Sequence, residues 1–189
     1  MIKCLILVGG ESSRMGEEKY LMEDNGTPQY QYLYEMLTAQ GYPTYISCNE
    51  RQNEVIPDTY AKLVDTYDQI GPIGGLATAI AEDARCSWLV VACDLMGLTA
   101  DAVTRLISAN APEYDIVTYQ HPESGFYETT LTIYNPGAFI VLKRAIRKEV
   151  YSLQDILKKC PTKAIKGEVD FLVNVNTRED RNTSRGSFL

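Results

Sequence analysis

A glycine-rich loop that carries two cations follows the first apolar run of the chain. Residues 4–8 read CLILV, and residues 9–19 read GGESSRMGEEK. A loop that leaves the end of a buried strand presents backbone N–H groups, and such loops bind phosphate. Arg14 and Lys19 add positive charge to the same loop. The combination predicts a site for a nucleoside triphosphate.

The loop matches neither of two common phosphate-binding motifs. It is not G-x-x-x-x-G-K-[ST], and it is not the dinucleotide fingerprint G-x-G-x-x-G. An ordinary tight turn between a strand and a helix, with two solvated cations, is the alternative interpretation. The spacing of Ser12, Arg14, Gly16 and Lys19 favours phosphate binding over that turn.

An aspartate, Asp94, comes shortly after the apolar run of residues 88–92. A carboxylate at such a position either faces a cleft or is buried at a cost in free energy. Magnesium takes one or two carboxylates together with substrate phosphates and water. Asp94 is therefore the candidate metal ligand, and the alternative is that it caps the following helix.

Two further polar residues follow predicted strands. Asn49 comes after residues 44–48, and Asp65 comes after residues 61–64. In open α/β sheets, ligands bind at the carboxyl ends of the strands. We therefore expect both side chains near the glycine-rich loop, although an aspartate at a strand end can also serve a cap or a turn.

A pair of asparagines, Asn174 and Asn176, flanks Val175 on or just after the last predicted strand. Because side chains alternate along a strand, the two amides share one face. They can hydrogen-bond a polar ligand or complete a metal shell through their carbonyl oxygens. The alternative is that Asn176 and Thr177 cap a short helix.

Residues 71–76, which read GPIGGL, open a predicted helix. Glycines allow a ligand or another backbone to approach closely, and a helix N-terminus favours negative charge. Packing of the helix on the sheet explains the glycines equally well, so both interpretations stay open.

The elements that must position these residues alternate along the chain. Predicted strands cover residues 2–8, 44–48, 61–64, 88–92, 115–119, 130–134 and 171–175, and predicted helices cover residues 30–40, 73–84, 101–109, 136–147 and 153–159, the third of them capped by Thr99. This alternation predicts an α/β fold, a three-layer sandwich with a mostly parallel central sheet. Residues 1–189 are expected to form a single domain.

Composition excludes several classes of function. The net charge of −7 argues against a nucleic-acid binder, which normally carries a basic face. No stretch approaches the roughly 20 apolar residues of a membrane span, and no leader is expected. The five scattered cysteines form no C-x-x-C pair, which is typical of reduced thiols in a cytoplasm. The only histidine, His121, lies in a polar turn, so a catalytic role for it is not expected and a histidine-based zinc site is excluded.

The motifs together resemble a known family. The loop of residues 7–19 is similar to the signature of the small nucleotidyltransferases, residues 71–76 to their second loop, and Cys93-Asp94 to their metal-binding aspartate. Asn174-Val175-Asn176-Thr177 resembles the C-terminal motif of the molybdenum cofactor guanylyltransferases. The motifs run in the expected order over nearly the whole chain.

The resemblance implies a Rossmann-like nucleotidyltransferase that transfers GMP from GTP to molybdopterin, depends on magnesium and releases pyrophosphate. It implies catalytic roles for Arg14, Lys19 and Asp94, and contact with other molybdenum cofactor proteins. The residues expected at the nucleotide are Leu7, Val8, Gly9, Gly10, Lys19, Asn49, Asp65 and Asp94; Asn174 and Asn176 are expected at the acceptor or the metal, and Asp94 at magnesium.

The chain departs from the family pattern at three places, of which only the third bears on the acceptor. The spacer between Gly16 and Lys19 is short, Met96 stands where a proline is usual, and residues 123–134, where the acceptor is expected, differ from the family. One alternative is the same chemistry with CTP or with a sugar-phosphate acceptor. The other is a nucleotide-binding regulator without catalysis.

Overall fold

A computed structural model describes residues 1–9, 23–24, 26–67 and 69–166. Seven of its strands form one sheet in the order β5-β4-β1-β6-β8-β7-β9, and β2 pairs with β3 separately. The strands are β1 Ile2–Leu7, β2 Glu23–Asp24, β3 Thr27–Pro28, β4 Thr44–Cys48, β5 Lys62–Val64, β6 Ser87–Ala92, β7 Ile116–Gln120, β8 Tyr127–Tyr134 and β9 Thr162–Ile165.

The large sheet is mostly parallel. The pairs β1–β4, β1–β6, β4–β5 and β7–β9 are parallel, whereas β8 runs antiparallel to both of its neighbours. The helices are α1 Gln29–Ala39, α2 Glu50–Val55, α3 Pro72–Glu82, α4 Ala100–Ser108, α5 Pro136–Arg147 and α6 Leu153–Leu157. Among the described residues, no helix has the length and apolar character needed to cross a bilayer.

Helices cover both faces of the sheet. In β1, Cys4 and Ile6 face a core that includes residues of α1 and α4, whereas Leu5 and Leu7 face a core that includes residues of α3, α5 and α6. Burial on both faces explains why β1 and β6 are continuous apolar runs rather than alternating ones. The predicted three-layer α/β sandwich is confirmed.

Most predicted elements are close to the observed ones. Residues 44–48 and 136–147 match β4 and α5, and Thr99 caps α4 by accepting a hydrogen bond from the Ala102 N–H. The predicted strand at 171–175 lies outside the described residues. The short α2, the pair β2–β3 and the edge strand β9 were not predicted.

Candidate functional site

Four strand ends place the candidate residues in a row at the carboxyl edge of the sheet. Val8 and Gly9 follow β1, Asn49 follows β4, Asp65 follows β5 and Asp94 comes two residues after β6. These four strands are adjacent and parallel, so their carboxyl ends lie side by side at a spacing of about 4.8 Å per strand. The structure thus brings together the sequence-predicted site residues that it describes.

The first residues of the glycine-rich loop are held by neighbours on both sides. The Val8 N–H donates to Ser47 O at 3.2 Å, and the Cys93 N–H donates to Leu7 O at 3.1 Å. A Cβ placed on Gly9 would meet no described atom within 4 Å. Gly10, Arg14 and Lys19 lie outside the described residues, and so do Asn174 and Asn176.

Asn49 is the N-cap of α2. Its Oδ1 accepts from the Gln52 N–H at 2.8 Å, and the Asn49 N–H donates to Gln52 Oε1 at 3.0 Å, which is a capping box. Because Oδ1 is engaged, a contact between this side chain and a nucleotide would involve Nδ2. The cap also fixes the direction in which the chain leaves β4.

Gln52 links α2 to the glycine-rich loop. Its side chain is buried, and Nε2 donates to the Val8 carbonyl at 3.2 Å. Its Oε1 accepts from the Asn49 N–H and so completes the capping box. The sequence analysis did not identify Gln52. The spacing Asn49-x-x-Gln52, a capping-box signature, was the signal that could have found it.

The Asp65 carboxylate is oriented from the next strand. Ser47 Oγ, in β4, donates to Asp65 Oδ1 at 2.6 Å, and the Asp65 N–H donates to Cys48 O at 2.8 Å. A Cβ on Gly75 of α3 would overlap Ser47 Oγ and lie 2.9 Å from Leu7 Cδ2. The absence of a side chain at Gly75 therefore lets α3 lie close to Ser47, the residue that donates a hydrogen bond to Asp65.

The start of α3 is fitted to the segment that follows Asp65. Thr78 Oγ1 accepts from the Thr66 N–H at 3.1 Å, and a Cβ on Gly74 would lie 3.0 Å from Tyr67 O. Gly71, at φ 75°, precedes Pro72 at the first turn of the helix. Close packing explains Gly74 and Gly75, which supports the packing interpretation of the GPIGGL segment.

Asp94 lies in a turn that α1 supports. Gln29 Nε2, on a buried side chain, donates to Leu95 O at 3.1 Å, and the Met96 N–H donates to Asp94 O at 3.0 Å. Asp94 is half-buried. Since Thr99 caps α4, the alternative that Asp94 is the helix cap is wrong.

Two buried cysteines of the sheet, Cys48 at the end of β4 and Cys4 in the first half of β1, are packing residues. Burial, and then the Asp65 carboxylate, raise the pKa of the Cys48 thiol to about 11, and burial raises the pKa of Cys4 to about 12. Both thiols are therefore neutral at physiological pH and poor nucleophiles. All five cysteines are free, as expected for reduced thiols.

A comparison with family models identifies the family of this chain. The model described as "MobA-like NTP transferase domain" matches residues 4–164, a range that contains all four strand ends. The chain belongs to this family. The predicted enzyme class is thereby confirmed, because these proteins are nucleotidyltransferases.

Curated relatives of this MobA-like chain carry molybdenum cofactor names. A molybdenum cofactor biosynthesis bifunctional protein of Synechocystis sp. is 30% identical over 178 residues, which are 93% of this chain and 51% of that protein. This chain thus spans about half of that relative. A molybdenum cofactor guanylyltransferase of Vibrio atlanticus is 29% identical over 186 residues, which are 93% of this chain and 91% of the relative.

A solved structure shows the same fold as this MobA-like chain. The crystal structure of molybdopterin-guanine dinucleotide biosynthesis protein A from Archaeoglobus fulgidus superposes with a TM-score of 0.81 at 22% identity, and covers 98% of this chain and 97% of its own. Together with the family match, this confirms the resemblance on which the sequence interpretation relied.

Proposed function

We propose that this protein transfers GMP from GTP to molybdopterin and releases pyrophosphate. The observation that carries the proposal is the row of Asp65, Asn49, Gly9 and Asp94 along one edge of four parallel strands. A nucleoside triphosphate laid along that row would have its base near Asp65 and its phosphates between Gly9 and Asp94. Family membership supports the nucleotidyl-transfer chemistry.

The proposed reaction needs little acid–base help from the protein. An oxygen of the acceptor phosphate forms a bond to the α-phosphorus of GTP, and the bond from that phosphorus to the bridging oxygen of the β-phosphate breaks. The electron pair leaves with pyrophosphate. The attacking phosphate is already ionised at neutral pH, so catalysis rests on positioning and charge neutralisation. Arg14 and Lys19 would neutralise the triphosphate.

Asp94 fits the requirements of a magnesium ligand in this proposal. It offers one half-buried carboxylate next to the loop, and the described residues contain no cluster of three or more His, Cys, Asp or Glu side chains. A single protein carboxylate suits magnesium, whose other ligands are then phosphate oxygens and water. When bound, the ion would stabilise negative charge on the phosphates.

The Asp65 carboxylate favours guanine over the other bases. Guanine presents two N–H groups, at N1 and N2, on one edge, and a carboxylate can accept both. Cytosine and adenine lack this pair of donors. The hydrogen bond from Ser47 Oγ, at 2.6 Å, gives Asp65 a fixed orientation for such a contact.

A panel of the four nucleoside triphosphates tests the proposal. Each is mixed with magnesium, molybdopterin and the protein, and pyrophosphate release is measured. We expect release with GTP, and its severe loss in Lys19→Ala. Strict use of CTP would overturn the GTP assignment. Measurable GTP affinity without pyrophosphate release from any acceptor, sugar phosphates included, would instead indicate a nucleotide-binding regulator.

The proposed enzyme would work in the cytoplasm, where free thiols such as those of this chain stay reduced. Its product is a dinucleotide cofactor that other proteins must receive. We therefore include contact with other molybdenum cofactor proteins in the proposal, to be tested by co-purification with the acceptor-supplying and acceptor-using proteins.

A further inference from the structure

The hairpin between β7 and β8 lies beyond Asp94, on the side away from the nucleotide residues. In the sheet order β5-β4-β1-β6-β8-β7-β9, the proposed nucleotide residues follow β5, β4 and β1, and Asp94 comes after β6. The next strand is β8, which runs antiparallel and therefore begins at the same carboxyl edge. An acceptor that approaches the α-phosphate from the other side of Asp94 would meet this hairpin.

The hairpin carries a histidine paired with a buried carboxylate. His121 Nε2 lies 3.4 Å from Glu128 Oε2, and the Glu128 side chain is 7% exposed whereas that of His121 is 32% exposed. The other carboxylate oxygen, Oε1, accepts from the Thr130 N–H at 3.1 Å and from Thr130 Oγ1 at 2.6 Å. The buried Glu128 thus orients an imidazole that a ligand can reach.

The backbone around Glu128 is fixed by polar side chains. The Thr118 and Thr132 hydroxyls both donate to the Glu128 carbonyl, where the register between β7 and β8 shifts. In α6, the Gln154 amide donates to Tyr127 O and accepts from the Tyr127 N–H. These bonds leave the start of β8 little freedom to move.

The turn that bears His121 is also closed by hydrogen bonds. The His121 N–H donates to Phe126 O at 2.9 Å, and the Gly125 N–H donates to His121 O at 2.9 Å. Gln120 Nε2 donates to Gly125 O at 2.8 Å, and Gly125 has a φ of +70°. These bonds hold the backbone of the turn, and the contact with Glu128 orients the ring. The imidazole is therefore preorganised, which lowers the entropy cost of binding a ligand.

The hairpin and Asp94 lie at the same edge of the sheet. β6 and β8 pair with Val91 opposite Leu131, one residue before β6 ends at Ala92 and four residues after β8 begins at Tyr127. Because the strands are antiparallel, the end of β6 and the start of β8 are neighbours at the carboxyl edge. In the strand order, the hairpin is therefore on the far side of Asp94 from β1 and Gly9, the side on which we expect the second substrate of the transfer reaction.

We propose that His121 binds the phosphate group of the acceptor and that Glu128 is a positioning residue for it. The proposal rests on the function proposed above, since the acceptor of that reaction is a phosphate monoester. Because Nε2 faces Glu128, the contact with phosphate would use Nδ1. In the imidazolium form both ring nitrogens carry N–H groups, so Nε2 would donate to Glu128 while Nδ1 donates to a phosphate oxygen and holds the attacking oxygen in line. His121 transfers no proton in this role.

A nuclear magnetic resonance titration tests the binding step without turnover. Because His121 is the chain's only histidine, an untagged protein gives a single imidazole signal. We expect that signal to shift on addition of phenyl phosphate or molybdopterin, and to shift much less with phenol or with GTP carrying a methylene group between its α- and β-phosphates. Absence of a shift with both phosphate monoesters, or a shift with the GTP analogue alone, would overturn the proposal.

Steady-state kinetics test the same contact in the reaction. His121→Gln should raise the KM for molybdopterin about tenfold, as expected for loss of one charge-assisted hydrogen bond, and leave the KM for GTP unchanged. Glu128→Gln should move the KM for molybdopterin in the same direction. The matched control is Glu113→Gln, which removes an exposed carboxylate from the segment before β7 and should change neither constant.

The two proposals fail in different ways. If the unaltered protein releases no pyrophosphate from GTP and molybdopterin, the proposed function is wrong, while the imidazole titration still decides whether His121 binds phosphate. If the unaltered protein turns over but His121→Gln keeps both KM values, the assignment of His121 is wrong and the proposed function stands. Thermal melting of each variant separates these results from misfolding.

Discussion

Both edges of the seven-stranded sheet are polar, but they use polar side chains differently. At the amino edge, where β1 and β6 begin, polar side chains form ion pairs and hydrogen bonds with one another. At the carboxyl edge, Ser47 Oγ donates to Asp65 and Gln29 Nε2 donates to Leu95 O in the turn of Asp94, so these side chains orient the candidate site residues. The difference separates residues that stabilise the fold from residues that the proposed reaction would use.

The amino edge contains two networks. In one, the Asp83 carboxylate accepts from Lys3 Nζ at 3.0 Å and from Arg85 Nε at 3.2 Å. In the other, Asn135 accepts from Ser87 Oγ at 2.6 Å and exchanges hydrogen bonds with the Asn110 amide. Such internally satisfied groups lower the free energy of the folded state, and we expect little effect of either network on turnover.

The largest effect is expected from Asp94→Asn at the carboxyl edge. Loss of the proposed magnesium ligand should lower kcat/KM by about 100-fold or more, because charge stabilisation by a bound ion is worth several kcal/mol. Pyrophosphate release measures the loss, and the melting temperature should stay unchanged. Asp101→Asn, which removes an exposed carboxylate from α4, is the control. Full activity in Asp94→Asn would contradict the assignment of the proposed reaction to the carboxyl edge.

The opposite pattern is expected from Asn135→Ala at the amino edge. The substitution removes the bonds to Ser87 and Asn110 and a 2.8 Å bond from Nδ2 to Tyr114 O. We expect a loss of about 2 kcal/mol in the free energy of unfolding, measured by urea denaturation, with unchanged kcat/KM. Ser87→Ala, which removes a single bond, should cost about 1 kcal/mol. Loss of turnover in a folded Asn135→Ala protein would contradict this.

A smaller and more selective effect is expected from Asp65→Asn. Asparagine keeps an oxygen that can accept from Ser47 Oγ, so the local fold should persist while the charge is lost. The KM for GTP should rise about tenfold, since a carboxylate accepts guanine N–H groups better than an amide does. Inosine triphosphate lacks the N2 amine, so the unaltered protein should prefer GTP over it and the variant should not. An unchanged preference would remove Asp65 from the guanine site.

The sequence predicted the carboxyl edge better than the contacts that organise it. Apolar runs bounded by polar residues predicted β4 and β6, because strands buried on both faces of a sheet are apolar throughout. The rule that ligands bind at strand ends then grouped Asn49, Asp65 and Asp94 correctly. What each of them does at a nucleotide stays a prediction.

Contacts across strands could not be predicted in the same way. Ser47 with Asp65, and His121 with Glu128, become neighbours only once strand order and the hairpin turn are known. The edge strand β9 is half-buried and depends on pairing with β7 rather than on its own pattern. A short helix such as α2 is indicated in the sequence only by its capping residues. That indication is weaker than the repeated spacing of apolar residues along a long helix.

The smallest effect is expected from Asp83→Asn, and it is confined to acid. Hydrogen bonds from Lys3 and then from Arg85 lower the pKa of the Asp83 carboxyl from 3.8 to about 2. A depressed pKa in the folded state adds stability that is fully present above about pH 4 and is lost as the pH falls toward 2. The melting temperature of the unaltered protein should therefore fall more steeply between pH 4 and pH 2 than that of the variant, with kcat/KM at pH 7 equal in both. Parallel melting curves would show that the Lys3–Asp83 pair contributes nothing to the acid stability of the amino edge.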